Sequence, residues 1–184
     1  PAIPSAVRKH YLLLSPFRYF PQHSSRFRPQ GRSGLWYGAS SLEGACSEIA
    51  YWRQRFILDS TGLCQQRQPL LNRYTLYQAH VQGQAIDLMS KPWLKFAQLW
   101  KDPVDYRATQ ELATLAIQAG VQWIRYESVR APSKSPLAAV LTPDALSATP
   151  RAIEKSKQEW ICSATRDTVL MRRQGGAEQF EFHR

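Results

Sequence analysis

The strongest periodic pattern in the chain lies just after residue 40. Residues 41–56 carry an apolar side chain every three or four positions, which predicts a helix with one apolar stripe. That stripe consists of Leu42, Ala45, Cys46, Ile49, Trp52 and Phe56. Ser40 and Glu43 form an S-x-x-E capping box, which predicts where the helix begins.

Glu48 falls beside Trp52 at the margin of this predicted stripe. A carboxylate at the margin can face a cleft while its neighbours fill the core. On spacing alone, a surface carboxylate paired with Arg55 is the more ordinary interpretation.

A second helix is predicted over residues 103–119, and a shorter one over residues 92–100. Asp102 is the expected N-cap, Pro103 the first helical residue, and Gly120 the stop. The apolar stripe of the longer helix is predicted to consist of Ala108, Leu112, Leu115, Ala116 and Ala119.

Strands are predicted where apolar and polar residues alternate or where short apolar runs end in turn residues. These segments are residues 11–14, 35–39, 72–82, 84–89, 121–130 and 136–143, followed by two or three antiparallel strands within residues 160–182 with Gly175–Gly176 at a hairpin turn. Helices and strands interleave, but the chain ends in an antiparallel set, which favours an α+β fold over a regular α/β alternation. We expect one domain over residues 1–184, with its core at about 11–172 and both ends peripheral.

The chain is strongly basic. Its 24 Lys and Arg against 14 Asp and Glu give a net charge of +10. This excess favours an anionic partner, such as nucleic acid, a phosphorylated small molecule or an acidic protein. The first 32 residues contain no acidic residue, and their basic residues are Arg8, Lys9, Arg18, Arg26, Arg28 and Arg32. A solvated basic surface and an N-terminal anion site both fit this distribution.

Several classes of protein lack their sequence signatures here. Three cysteines without a CxxC pair argue against a disulfide framework, and histidines without an H-x-x-x-H pair argue against a metal site. Cys46 lies in the predicted helix stripe and is expected to be a core residue. The G-x-G-x-x-G, P-loop and G-x-S-x-G motifs are missing, as is an apolar run of about 20 residues. We therefore expect a soluble, cytoplasmic protein.

Candidate chemistry lies at two ends of predicted strands. Arg26 and Arg28 precede one strand among Gly and Pro residues, and guanidinium groups suit phosphate oxygens. Residues 121–130 are predicted as a strand that runs into a loop, and Ser128 and Arg130 lie at its end, where ligand-binding groups are often found. A basic surface loop and an ordinary strand end are the alternatives.

The order of these residues changes their weight. Two segments of the chain resemble two blocks of the RES-domain family, whose name comes from Arg, Glu and Ser. These segments are SRFRPQGRSGLWYGASSLEGACSEIAYWR and DYRATQELATLAIQAGVQWIRYESVR. Arg26, Tyr37 and Glu48 lie eleven residues apart in turn, and Ser128 lies near the end of the second block. The family's central strand and connecting helix are similar to two further segments, YTLYQAHVQGQAIDL and WLKFAQLWKDP. The resemblance therefore covers residues 11–145.

The resemblance implies an α+β fold similar to that of ADP-ribosylating toxins, and a toxin that a helix-turn-helix antitoxin neutralises. It implies consumption of NAD by hydrolysis, phosphorolysis or transfer of ADP-ribose to a protein, with NAD+ as substrate and no cofactor. An oligomer of the chain, or a complex with the antitoxin, stays open. Contact with nucleic acid is expected only through the antitoxin.

The resemblance also implies roles for the site residues. Arg26 would clamp phosphate with help from Arg28 or Arg18, and Tyr37 would pack on the nicotinamide or ribose. Ser128 would hydrogen-bond the nicotinamide amide or ribose, and Glu48 would orient a ribose hydroxyl or stabilise the developing cation. Many members have R-W-N where this chain has Arg26-Phe27-Arg28, which leaves open whether Arg26 or Arg28 is the functional arginine.

Two other classes of function compete with this interpretation. The net charge and abundant aromatic residues also fit a protein that binds nucleic acid or cleaves RNA, although no RNP-like segment or recognition helix is evident. A RES-like domain with a degenerate site would act only as a binding partner.

Overall fold

Helices and strands alternate irregularly along the chain in the computed structural model, which describes residues 9–183. The helices are α1 (Tyr11–Arg18), α2 (Leu42–Leu58), α3 (Thr61–Gln65), α4 (Ala97–Trp100), α5 (Arg107–Gln118) and α6 (Pro150–Ser156), with 3-10 turns at Trp93–Phe96 and Pro143–Ala145. The strands are β1 (Trp36–Ala39), β2 (Leu70–Leu76), β3 (His80–Val81), β4 (Ala85–Asp87), β5 (Trp123–Glu127), β6 (Pro136–Val140), β7 (Leu146–Ser147), β8 (Gln158–Ala164), β9 (Thr168–Arg173) and β10 (Gln179–His183).

The strands form two four-stranded sheets and a two-stranded ribbon. The first sheet has the order β1-β6-β5-β4, in which β4 runs parallel to β5 and the other pairs are antiparallel. The second sheet is an antiparallel set in the order β10-β9-β8-β2, and β3 pairs with β7. This mixed arrangement confirms the predicted α+β class. The likeness to ADP-ribosylating toxins stays a prediction.

Each sheet packs against one long helix. On the first sheet, Leu112 and Ala116 of α5 belong to a buried cluster with Ile124 of β5. On the second, one side of α2 joins a cluster with the fully buried Trp160 and Met171. The two helices therefore belong to separate apolar cores, one on each sheet.

The predicted apolar stripe of α2 was wrong at its aromatic positions. The buried residues of this helix are Gly44, Cys46, Ser47, Ala50 and Ile57, so Cys46 is confirmed as a core residue. Trp52 and Phe56 are instead 50% and 53% exposed. Small side chains face the second sheet because they let the helix approach it closely.

The predicted start of each long helix was also wrong. Ser41, not Ser40, caps α2, and its side chain accepts a hydrogen bond from the Gly44 amide. Helix α5 begins at Arg107, because the Asp102 carboxylate caps a separate turn by accepting from the amides of Val104 and Asp105.

The predicted stripe of α5 was partly wrong. Leu112 and Ala116 are buried as expected, but Thr109 and Ala113 are buried in place of Leu115 and Ala119, which are exposed. The buried positions 109, 112, 113 and 116 recur at three- and four-residue intervals and form one side of the helix. Gly120, at φ +75°, takes the left-handed conformation expected after a helix end.

Two strand predictions also differ from the structure. Residues 11–14 lie in α1, where the His10 side chain accepts from the Leu12 amide at the N-cap. Leu13 and Leu14 are both buried, which neighbouring residues achieve on a helix but not on a strand facing one core. The strand predicted over residues 72–82 divides into β2 and β3, because its first part pairs with β8 and its last part with β7.

The carboxyl-terminal strands follow the prediction. β8, β9 and β10 form an antiparallel set, and Gly175 adopts φ +73° in the turn between the last two. β10 lies at the edge of its sheet. The prediction that the first few residues of the chain are peripheral lies outside the described residues. No helix within residues 9–183 is both long and apolar enough to cross a membrane.

Candidate active site

A cleft of about 940 Å³ lies along the exposed side of α2. Its walls come from α2, β1, β2, β5, β6 and the irregular segment before β1. The volume lies at the upper end of the range for small-molecule sites. The predicted residues Arg26, Arg28, Tyr37 and Glu48 all line the cleft.

Glu48 is a partly buried carboxylate held by one defined hydrogen bond. The Ser128 hydroxyl donates to Glu48 Oε1 at 2.8 Å. Burial raises the pKa of Glu48, while the Ser128 hydrogen bond and the charges of Arg130 and Arg26 oppose that rise. A carboxylate poised in this way interacts strongly with a cation that develops in the cleft, because little water screens it.

Ser128 lies behind Glu48 rather than in the cleft. It is 2% exposed, and its hydroxyl also accepts hydrogen bonds from the backbone amides of Arg130 (3.1 Å) and Ala131 (2.9 Å). These contacts orient the hydroxyl toward Glu48 and favour a positioning role. The direct contact with nicotinamide or ribose stays a prediction.

Tyr37 joins β1 to the segment that carries the arginines. Its hydroxyl shares a 2.8 Å hydrogen bond with Ser25 and accepts one from the Phe27 amide at 3.3 Å. The side chain is 38% exposed, toward the cleft, yet protein atoms surround its hydroxyl closely. Burial therefore raises the pKa of Tyr37, and the phenol is a neutral hydrogen-bonding group at pH 7.

Arg26 presents a nearly buried guanidinium to the cleft. Its Nη1 donates to the carbonyls of Trp100 (2.8 Å) and Asp102 (2.9 Å), and the guanidinium lies over the Tyr106 ring at 4.7 Å. Both hydrogen bonds use Nη1, so within residues 9–183 the other donors of Arg26 stay available to a ligand. Its charge also acts on Glu48.

Arg28 instead closes its own loop. Its Nη1 donates to the carbonyls of Pro21 (3.3 Å) and Pro29 (3.2 Å), and its Nη2 donates to the carbonyl of His23. Arg28 lines the cleft, but its charge is not among those that act on Glu48. The geometry favours Arg26 as the functional arginine. Arg18, predicted as a helper, is exposed at the end of α1 and does not line the cleft.

The first turn of α5 holds the arginine segment in place. The Thr109 hydroxyl donates to the Arg26 carbonyl, and the Gln110 side chain donates to the Ser25 carbonyl at 2.9 Å. Thr109 is fully buried. Thr109 and Gln110 of the second sequence block thus hold the first block in place through these hydrogen bonds.

Arg130 and Tyr126 also line the cleft: the sequence marked Arg130 as candidate chemistry without giving it a role, and it did not mark Tyr126. Arg130 lies 3.6 Å from the ring centre of Tyr51, and its Nη2 donates to the Tyr106 hydroxyl at 2.9 Å. Tyr126 is 7% exposed and lines the cleft, and burial raises its pKa well above the usual value. Strand alternation gives the signal that could have found Tyr126, because it lies two residues before Ser128 and shares its side of the strand.

The cleft is positively charged around one carboxylate. Its charged lining consists of Arg26, Arg28, Arg53, Arg55, Arg130, Glu48 and Asp59. Asp59 pairs with Arg55 at 2.8 Å, so Glu48 is the remaining acid of the lining, and Arg26 and Arg130 are the arginines whose charges act on it. This distribution suits an anionic ligand that carries a local positive charge.

Other chemistries have less support in this part of the chain. Among residues 9–183, no group of three or more His, Cys, Asp or Glu side chains could hold a metal ion. Burial raises the pKa of the Cys46 thiol to about 12, which keeps it protonated and unreactive at neutral pH.

The comparison with known families agrees with this geometry. The RES domain family matches residues 3–162, which include both sequence blocks and every predicted site residue. No curated protein matches the chain. Because the match spans most of the 184 residues, the chain belongs to the RES-domain family.

Proposed function

We propose that this protein cleaves the bond between nicotinamide and ribose in NAD+. Membership of the RES family is associated with NAD use in general. The observation that carries the proposal is Glu48, a partly buried carboxylate that Ser128 orients inside an arginine-lined cleft. NAD+ matches this cleft chemically, because it combines an anionic pyrophosphate with a cationic nicotinamide ring.

The reaction follows from where the charges lie. As the C–N bond breaks, its electron pair goes to the nicotinamide nitrogen and positive charge develops on the ribose. Ionised Glu48 stabilises that charge or orients a ribose hydroxyl. An oxygen of water or phosphate then bonds to the ribose carbon, and water releases its proton to solvent. Arg26 and Arg130 hold the pyrophosphate, and Tyr37 packs against the nicotinamide ribose.

Transfer of ADP-ribose to a protein is an alternative outcome of the same first step. It differs only in the acceptor, so Glu48 and Arg26 keep their roles. We also propose that the chain acts as a toxin neutralised by a helix-turn-helix partner. Growth arrest on expression, relieved by co-expression of such a protein encoded beside it, tests that role separately.

Release of nicotinamide from NAD+ by the purified chain tests the catalytic proposal. We expect release with water alone or with added phosphate, and the accompanying product (ADP-ribose or its 1-phosphate) identifies the acceptor. Arg26→Ala should reduce the rate by a factor on the order of 10²–10³, as for loss of one preorganised charged contact.

The matched control is Arg73→Ala, which removes an arginine from the exposed side of β2, outside the cleft. This variant should keep wild-type activity. No release under any of these conditions, including with candidate acceptor proteins, would refute the enzymatic proposal. A steep, sequence-insensitive salt dependence of nucleic-acid binding would then favour the competing class.

A further inference from the structure

The cleft continues well past Glu48 along α2. Glu48, Trp52 and Phe56 follow one another at four-residue intervals and all line it. At 1.5 Å per residue, Phe56 lies about 12 Å beyond Glu48 along the helix axis. The reacting ribose needs only the Glu48 end, so the far end is available to another part of the ligand.

Trp52 offers an open aromatic surface at this far end. The side chain is 50% exposed, and Tyr51 contacts it edge-on, with 5.2 Å between ring centres and an 80° angle between planes. Tyr51 is itself covered by Arg130 at 3.6 Å. An indole fixed by a neighbouring ring and facing a cleft is a suitable surface for stacking a flat ligand group.

Arg53 supplies a fixed positive charge beside Trp52. Its Nε donates to the Tyr74 hydroxyl at 2.6 Å, and its guanidinium lies 5.4 Å and 5.9 Å from the ring centres of Phe56 and Tyr74. Two rings and one hydrogen bond thus hold a cation at the wall of the cleft. Within residues 9–183 this arginine forms no ion pair, so no carboxylate in that part of the chain neutralises its charge through direct contact.

We propose that this end of the cleft binds the adenylate half of the dinucleotide, with the adenine stacked on Trp52 and the adjacent phosphate near Arg53. The inference rests on the proposed function for its substrate. An aromatic surface beside a fixed guanidinium matches a purine joined to a phosphate, whereas phosphate alone would not require the aromatic surface. Because Trp52 and Arg53 line the same cleft as Glu48, the two halves of a single ligand would both lie along α2.

Comparison of NAD+ with nicotinamide mononucleotide tests this assignment, because both contain the same scissile bond and only NAD+ has the adenylate. Wild type should cleave NAD+ with the higher kcat/KM. Trp52→Ala should reduce the ratio of the two kcat/KM values by about 10–100-fold, since one base–aromatic stack contributes roughly 1–3 kcal/mol. Trp52→Phe should restore most of the ratio.

Leu71→Ala is the control, since it removes another exposed apolar side chain from outside the cleft. It should leave the ratio unchanged. An unchanged ratio in Trp52→Ala would overturn the inference, as would an equal loss on both substrates.

A direct binding measurement separates this inference from the proposed reaction. If wild type cleaves neither substrate, calorimetric titration with AMP and ribose 5-phosphate still decides the inference. Tighter binding of AMP that is lost in Trp52→Ala supports it. Equal binding of the two compounds, or no binding of either, refutes it.

Discussion

The two sides of α2 differ in the size of their apolar side chains and in what those side chains contact. One side carries small or compact residues, including Cys46, Ala50 and Ile57, and is buried against the second sheet. The other carries Glu48, Trp52 and Phe56 and lines the cleft. The larger apolar side chains thus lie on the open side, and the smaller ones form the core contact.

This difference shows why apolar periodicity does not by itself identify a core. A helix packs closely on a sheet where its side chains are small, because interiors are densely filled. Large apolar side chains left exposed in one patch instead indicate a binding surface. On α2 the two stripes lie on nearly opposite sides, and residue size separates them better than hydrophobicity does.

The largest expected effect comes from the charge on the open side. Glu48→Gln keeps an oxygen that can accept from Ser128 but removes the ionised group. We expect nicotinamide release to fall by a factor on the order of 10²–10³. Kinetic assays with NAD+ measure this loss, and near-wild-type turnover would show that the carboxylate has no electrostatic role.

The same variant should be more stable than wild type at neutral pH. Because burial raises the pKa of Glu48 in the folded protein, the folded state holds its proton more tightly than the unfolded state. Stability is therefore lost as pH rises from the unfolded to the raised folded pKa. Thermal unfolding should show the advantage of Glu48→Gln at pH 7 and its disappearance near pH 4.

The second effect concerns the stability that each side of α2 contributes. Ile57→Ala, on the buried side, should lower the free energy of unfolding by about 2–5 kcal/mol. Phe56→Ala, on the open side, should lower it by about 1 kcal/mol or less, because the side chain is 53% exposed and its contact with Arg53 is partly solvated. Urea unfolding measures both values, and equal losses would contradict the division of α2 into two sides.

A smaller effect is expected at the hydroxyl that joins Glu48 to β5. Ser128→Ala removes a hydrogen bond to a charged group, which should reduce kcat/KM by about 10–100-fold. It should also raise the pKa of Glu48 further, so the acidic limb of the pH–rate profile moves to higher pH.

Ser47→Ala is the control for that substitution. Ser47 is buried on the opposite side of α2, where its hydroxyl donates to the Gly44 carbonyl at 2.9 Å. The pH–rate profile of this variant should coincide with that of wild type. A shift in both variants would mean that the profile reports helix stability rather than Glu48.

The smallest effect is expected at Tyr126, which lines the cleft. Tyr126→Phe removes one hydroxyl and keeps the edge-on ring contact with Phe27, whose ring centre lies 4.8 Å away. We expect a roughly 3–10-fold lower kcat/KM, as for loss of one neutral hydrogen bond to the ligand. Unfolding should be unaffected, and unchanged kinetics would assign Tyr126 to packing alone.

The sequence was most informative where local chemistry decides structure. The helix stop at Gly120, the hairpin turn at Gly175 and the helix that carries Glu48 follow from neighbouring residues, and all three predictions agree with the structure. Local signals were misleading at Ser40 and Asp102, because two adjacent serines compete for one cap and an aspartate can cap a turn as well as a helix.

The site required long-range contacts that no local pattern contains. Spacing and family resemblance placed Arg26 and Glu48 together, but could not show that Arg28 satisfies the carbonyls of its own loop. Nor could they show that Arg130 reaches the cleft across Tyr51. The Arg130 contact depends on how two segments 79 residues apart meet, whereas the Arg28 contacts lie within seven residues of it and depend on the irregular loop that carries it.

That separation has a consequence during synthesis of the chain. Glu48 and Ser128 are 80 residues apart, and Thr109 lies 83 residues after the arginine segment that it clamps. At roughly 5–20 residues per second, a ribosome needs about 4–16 s to add the residues between Glu48 and Ser128. A nascent or truncated chain that stops before Ser128 therefore carries the arginines and the carboxylate without the contacts that align them, and we expect it to be inert.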